Sequence, residues 1–284
     1  MAALDEIIRR YENKYIIDRS LCERIEDYIS FFCVPDRYAD KKTGEYTIHS
    51  LYFDTPNLSF FEANMIKAPV RIKARARYFG GKPADYLWLE IKRKIKNVIV
   101  KERHRIDVAK WPEILNMVSP DSNATNVKGL IRNERSLDSF LNIVDSFGAV
   151  PAAHVRYIRK AYVSQIDRYV RITFDRRLSG CLAYGNYDLN VSSDDLISID
   201  DPGTCDFNNS AVVLEIKCEV VYPRWIEVLV QKFRLFQQGF SKYCHTIEHA
   251  FSDLRGERDI LIPTRKRSQI KEKGRLHFGF PSLS

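Results

Sequence analysis

Residues 69–79 read Pro69-Val70-Arg71-Ile72-Lys73-Ala74-Arg75-Ala76-Arg77-Tyr78-Phe79. From Arg71 to Arg77 every second residue is a cation and every residue between is apolar. Alternate side chains of an extended chain leave opposite faces, so this stretch is a strand with one dry face and one cationic face. Two further runs carry the pattern. In 85–95, Trp88, Glu90, Lys92 and Lys94 alternate with Leu87, Leu89, Ile91 and Arg93. In 97–107, Lys101, Arg103 and Arg105 alternate less cleanly with Val100, Glu102 and His104. Gly80-Gly81 and Lys96-Asn97 supply turns that make the three runs antiparallel neighbours. A face that only meets water mixes the two signs, because like charges opposed across strands repel. Three consecutive strands that gather one sign read as a surface built for a polyanion.

The charge arithmetic agrees. The chain carries a formal +8, yet Lys67 to Arg105 alone holds thirteen Lys or Arg against Asp85, Glu90 and Glu102. That segment sums to +10 and the remainder of the chain to −2, so one region supplies the whole basic excess. At 284 residues with 45% apolar content the chain can bury a substantial core. Its 12 Gly and 11 Pro are scattered, which excludes a collagenous or low-complexity protein. No apolar run reaches the roughly 18 residues of a membrane helix, and the start MAALDEIIRR lacks the pattern of a secretory signal. A cytoplasmic protein is expected. The six cysteines are widely spaced and form no C-x-x-C pair, so they are read as buried or unreactive thiols.

Strands are expected at 10–17, 45–54, 152–164, 168–177, 180–188 and 210–221, beside the three basic runs. Helices are expected at 20–33, 57–67, 109–118, 135–147, 223–238 and 242–254, the first opened by a Ser20-x-x-Glu23 capping box. Nothing repeats and no linker divides residues 1–262, which are read as one domain. Residues 263–284, including RKRSQIKEKGR, read as a solvated basic tail. The acidic stretch Asp194 to Asp206 reads as a solvated loop.

Charged alternation returns late in the chain. Arg159 follows Tyr157-Ile158; Arg171, Thr173 and Asp175 alternate with Val170, Ile172 and Phe174; Glu215, Lys217 and Glu219 alternate with Leu214, Ile216 and Cys218. At least seven antiparallel strands with charged inner positions and helices outside predict an α+β fold around a closed antiparallel β-barrel. Its interior would be a basic tunnel for a linear phosphate chain, since Arg grips phosphoryl oxygens with two donors and Lys acts as a point charge. Lys94 and Lys217 join that lining. Glu90 and Glu215 are candidates to hold a divalent cation together with phosphate oxygens.

The ordered set Glu12-x-Lys14-Tyr15, Ser50-Leu51-Tyr52-Phe53-Asp54-Thr55, Arg75-Ala76-Arg77-Tyr78, Leu89-Glu90-Ile91-Lys92, Val100-Lys101-Glu102-Arg103, Val170-Arg171-Ile172, Leu214-Glu215-Ile216-Lys217 and Phe240-Ser241-Lys242-Tyr243 resembles the VTC domain. That is the polyphosphate polymerase domain of the vacuolar transporter chaperone complex, among the triphosphate tunnel metalloenzymes. The resemblance covers residue 10 to about 250. It implies an eight-stranded tunnel that uses ATP and Mn²⁺ or Mg²⁺ to extend polyphosphate. It puts phosphate contacts on Lys14, Arg75, Arg77, Lys92, Lys101, Arg159, Arg171, Ser241 and Lys242, and the metal on Glu215. Among these, Arg75, Arg77, Lys92, Arg171 and Lys242 are the expected catalytic set. Arg10 stands where the hydrolase branch opens its E-x-E-x-K motif, which disfavours a triphosphatase or a class IV adenylyl cyclase. Gly239 stands two before the Ser-Lys pair, a basic position in the polymerases. The regulatory SPX domain and membrane helices of the eukaryotic complex do not accompany the domain, so the resemblance implies a stand-alone, prokaryotic type of member.

Three other readings compete. His245-Thr246-Ile247-Glu248-His249 spells the H-x-x-E-H zinc motif, with Glu257 as a loose third ligand, but a zinc peptidase leaves the basic strands unexplained. Basic strands interleaved with Tyr78, Phe79, Tyr86 and Trp88 suit single-stranded nucleic acid. Against this, Glu90, Glu215 and Glu219 share the basic face and repel a nucleic-acid backbone, so no nucleic acid is expected. The third reading is a catalytically silent polyphosphate-binding protein.

Overall fold

The computed structural model describes residues 11–81, 83, 85–96, 98–118, 135–167, 170–201, 210–218 and 222–257, without the side chains of 115–118, 135–136 and 252–257. Arg10, Cys205, Glu219, the Glu257 side chain, the end of the acidic loop and the basic tail lie outside the described residues. The chain divides into a unit of residues 1–250 and a second of 251–284, of which 251–257 continue the last helix.

Among the described residues, ten strands form one antiparallel sheet. They are β1 (Tyr11–Asp18), β2 (Cys33–Pro35), β3 (Glu45–Asp54), β4 (Val70–Phe79), β5 (Tyr86–Ile95), β6 (Val98–Asp107), β7 (Val150–Ser164), β8 (Arg171–Leu182), β9 (Ile197–Ser198) and β10 (Ala211–Cys218). The main path runs β1-β10-β8-β7-β3-β4-β5-β6, with β2 on β7 and β9 on β8. The three basic runs are consecutive neighbours in this path, β4-β5-β6, as their turns require. The helices are α1 (Ser20–Ile29), α2 (Ser59–Met65), α3 (Trp111–Val118), α4 (Arg135–Ser146), α5 (Arg224–Lys232) and α6 (Lys242–Glu257).

The apolar halves of the alternating strands face the helices. Ile72, Ala74 and Ala76 of β4 and Leu87, Leu89 and Ile91 of β5 bury against Trp111 and Ile114 of α3 and the α4 stripe Leu137, Phe140, Leu141 and Val144. That stripe recurs at i, i+3, i+4 and i+7, and burying each large apolar side chain stabilises by about 1.5–3 kcal/mol. A second cluster packs Ile25 and Ile29 of α1 and Ile226 and Leu229 of α5 against Tyr15, Ile172, Leu214 and Ile216. With helices held on one face by apolar contact, the charged face curls inward.

The expected closed barrel is not formed: the sheet is an open half-barrel whose end strands, β1 and β6, do not pair. The physical reason lies at β1. Its free edge is taken by the segment before α6, through a Tyr15–Gln237 bridge and a Gln238 N–H donated to the Lys14 carbonyl. Side chains instead of backbone span the seam, with Lys92 Nζ on β5 3.4 Å from Glu12 Oε2 on β1.

Other expectations shift locally. Ser20 does not cap α1; its N–H donates to Asp18 Oδ1 at 2.7 Å, and no side chain caps the helix. The two strands expected at 168–177 and 180–188 are one, β8. The break anticipated between them appears as a bulge opposite Arg156–Ile158, with Arg177 left-handed at φ 50°. The helix at 223–238 stops at Lys232, which frees residues 236–238 to cover β1. The described cysteines are free, and burial pushes the Cys22 and Cys33 thiols up to about 12.

Candidate functional site

The start of α6 lies in the trough of the half-barrel. Thr246 is fully buried there, and a Cβ on Gly180 of β8 would sit 2.5 Å from the His154 carbonyl and 2.6 Å from Thr246 Cγ2. A glycine is required at that crossing. Tyr243 stacks on Tyr52 with ring centroids 5.0 Å apart and donates its hydroxyl to Asp54 Oδ2 at 2.5 Å. Asp54 in turn accepts the backbone N–H groups of Phe60 and Phe61 at the start of α2. These contacts aim Lys242 and Ser241 into the trough.

Two ion clusters line it. In the first, Glu90 on β5 is 4% exposed and surrounded by cations from both neighbouring strands. Arg75 Nη2 lies 2.5 Å from its Oε2 and Arg75 Nε 2.7 Å; Lys101 Nζ lies 2.7 Å from Oε1; Arg77 and Arg103 follow at 3.7 and 4.0 Å. Arg77 is held otherwise by hydroxyls, donating to Ser50 Oγ at 3.1 Å and Tyr157 OH at 3.3 Å. Neutral partners orient its guanidinium without cancelling its charge.

In the second cluster, Glu215 on β10 has four cations around it. Lys217 lies at 3.1 Å, Lys242 at 3.3 Å, Lys14 at 3.4 Å and Arg159 at 3.6 Å. Arg159 makes a two-donor pair with Asp175 at 2.6 and 2.7 Å, which Lys242 joins at 2.6 Å. Glu12 gathers Lys14, Lys92 and Lys217 at 3.4–3.8 Å. Tyr157 lies between the clusters: its hydroxyl takes the Arg77 bond, and its ring lies under Lys242 and Arg159.

Nine cations thus share four carboxylates, Glu12, Glu90, Asp175 and Glu215, within one groove. Lys73 adds a tenth. Its Nζ donates to Ser241 Oγ at 2.8 Å and has no carboxylate partner among the described residues. Burial, with Lys14 and Lys92 nearby, draws the Lys73 amine down to about 8. Burial would raise the Glu90 and Glu215 carboxyls, but the cations around them hold both well below the usual range. The Tyr52 hydroxyl accepts from Arg75 Nη1 at 2.8 Å. Burial would push its phenol up, yet Arg75, Arg77 and Lys73 pull it down to about 8.

Of the residues singled out in the sequence, the structure brings Lys14, Arg75, Arg77, Lys92, Lys101, Arg159, Glu90, Glu215, Lys217, Ser241 and Lys242 into this groove. Arg171 turns to the rim, paired with Asp36 at 2.6 Å and donating to Tyr46 OH. Lys94 stands one step beyond Lys92 and forms no ion pair among the described residues. The sequence reading passed over Lys73, Glu12, Asp175, Tyr52 and Tyr157 as site residues. Lys73 sits in the same alternation as Arg75 and Arg77, so that signal alone names it. Of the H-x-x-E-H residues, His245 stacks on Phe240 at 4.1 Å and its neighbour His249 lies at 6.2 Å.

Among solved structures, the chain is similar to a candidate adenylate cyclase from Bacillus halodurans (TM-score 0.46, 10% identity, covering 82% of this chain and 94% of that one). It is also similar to a candidate adenylyl cyclase from Hippeastrum described as having a dominant triphosphatase activity (TM-score 0.41, 17% identity, 89% and 98% covered). A third is the PH1819 protein of Pyrococcus horikoshii OT3 (TM-score 0.37, 12% identity, 84% and 99% covered). No curated protein matches the chain. The model of the VTC domain matches residues 9–251, and on that match the chain belongs to the VTC domain family.

Proposed function

We propose that the groove is the active site of an ATP-dependent polyphosphate polymerase, which moves the γ-phosphoryl group of ATP onto a growing phosphate chain. The observation that carries this reading is the excess of positive charge gathered in the groove around four carboxylates. Nine cations around four carboxylates are costly to hold together unless a polyanion completes the balance. The nucleophile is a terminal phosphate oxygen, ionised near neutral pH, so no side chain need act as general base. Catalysis rests on alignment and on neutralising charge on the group in transit. Arg77, oriented by Ser50 and Tyr157, and Lys73 keep most of their charge for phosphate. Arg75, clamped by Glu90 and Tyr52, presents a fixed edge. Lys14, Lys217 and Lys242 carry the chain past Glu215.

The family implies a divalent cation. Among the described residues no three His, Cys, Asp or Glu form a metal cage, so a cation here depends on phosphate oxygens for most of its ligands. Glu215 suits that role better than Glu90. Its contacts of 3.1–3.6 Å are longer than close charge-assisted bonds, leaving its oxygens available, whereas both Glu90 oxygens are engaged at 2.5–2.7 Å. When bound, Mn²⁺ or Mg²⁺ would neutralise phosphate charge beside Glu215. Glu90 then acts as a positioning residue for Arg75 and Lys101.

The test is incubation with γ-labelled ATP and Mn²⁺ and a short primer, followed by gel analysis. A labelled ladder with ADP is expected. Labelled inorganic phosphate alone would instead mark a triphosphatase, and no turnover a silent binder.

A further inference from the structure

Where β5 and β6 pair, two arginines lie over two aromatic rings. Trp88 stands opposite Arg77, four residues along β4 from Lys73, whose Nζ meets Ser241 beside α6. At about 3.3 Å per residue that separation is about 13 Å. Strand register sets Arg103 opposite Glu90 and Arg105 opposite Trp88. Neither guanidinium stacks on its direct partner. Each leans one step along the strand: Arg103 lies 3.5 Å over the Trp88 ring and Arg105 5.4 Å from the Tyr86 ring centre. Glu90 is already saturated by Arg75 and Lys101, which leaves Arg103 at 4.0 Å free to lie on the indole. Tyr86 meets Trp88 edge to face at 5.8 Å, and Tyr86 and Arg103 are 38% and 45% exposed.

We propose that Trp88, Tyr86, Arg103 and Arg105 form a stacking platform for the base of a nucleoside triphosphate whose phosphates lie in the groove. The proposal rests on the reading of the groove as an ATP site and adds the residues on which the base of that ATP stacks. An inorganic phosphate chain gains nothing from an indole. A flat guanidinium on an indole offers a second π-face to a base while its N–H edges still point toward phosphate. The platform adjoins the Arg77–Glu90 cluster, so a base stacked there leads its phosphates inward toward Lys73 and Lys242.

Equilibrium binding of ATP and of tripolyphosphate to the full chain and to Trp88→Ala tests this without turnover. Loss of a stacking ring should weaken ATP about tenfold or more and leave tripolyphosphate unchanged, which also shows that the variant is folded. Trp88→Phe should retain most of the ATP affinity. A Trp88→Ala variant that still binds tripolyphosphate and has lost no more affinity for ATP than for tripolyphosphate overturns the proposal. If Trp88→Ala loses both ligands, Tyr86→Ala, at an exposed position, decides by the same comparison. A chain that makes no polyphosphate can still pass this test, and a polymerase whose ATP affinity ignores both rings fails it.

Discussion

Glu90→Gln isolates what the groove does with its charge. Glu90 is 4% exposed, with Arg75 at 2.5 Å, Lys101 at 2.7 Å and Arg77 at 3.7 Å. Removing one member of a buried ion cluster leaves the others uncompensated and costs about 3–5 kcal/mol. The Lys101 side chain is 43% exposed and can turn to water, and the Gln oxygen still accepts a bond, so the low end, about 3 kcal/mol, applies. For a chain of this size that is a drop of about 6–12 °C in Tm. A polyanion supplies the missing negative charge, so tripolyphosphate should raise the Tm of the variant by more than it raises that of wild type, where a ligand at 100 times Kd adds about 2.7 kcal/mol. Thermal melts with and without tripolyphosphate measure both. A variant that melts within about 2 °C of wild type, or that gains no more from the polyanion, refutes the view that Glu90 holds unneutralised cations together for a phosphate chain.

Glu215→Gln should abolish Mn²⁺-dependent turnover while tripolyphosphate binding persists, since the cations around it remain; unchanged activity removes Glu215 from the site. Arg75→Lys keeps the charge but not the fork that Glu90 and Tyr52 hold, so turnover should fall about 10²–10³-fold with polyphosphate affinity retained. Gly180→Ala should destabilise by about 1–3 kcal/mol in a denaturant titration, because the methyl meets the His154 carbonyl and Thr246 and forces α6 outward. Tripolyphosphate affinity should fall as pH rises from 7 to 9. Lys73, drawn down to about 8, and Lys101, which burial draws down to about 7 against Glu90, lose charge in the free protein and must take up protons on binding. Lys73→Arg, which stays charged, should flatten the upper part of that slope.

What was legible in the sequence follows from period and sign. Alternation alone assigns Arg71 to Arg77, Trp88 to Lys94 and Lys101 to Arg105 to strands, and in the first two it puts the apolar partners on the helix-covered face, because a strand has only two faces. It also indicated a polyanion, since opposed like charges need a reason. Sequence could not decide closure, which depends on whether the edge of β1 meets β6 or residues 237–238, a competition between segments far apart in the chain. Nor does alternation divide the carboxylates, although the family resemblance puts the metal on Glu215. Glu90 and Glu215 both sit between apolar neighbours and next to a lysine two residues on, so they look alike along the chain. Their difference arises from β4, β6, β7 and α6, which bring Arg75 and Lys101 tightly to one and Lys242 and Arg159 loosely to the other. Local pattern sets which face a side chain takes, and only the tertiary approach of distant segments sets which charges it meets.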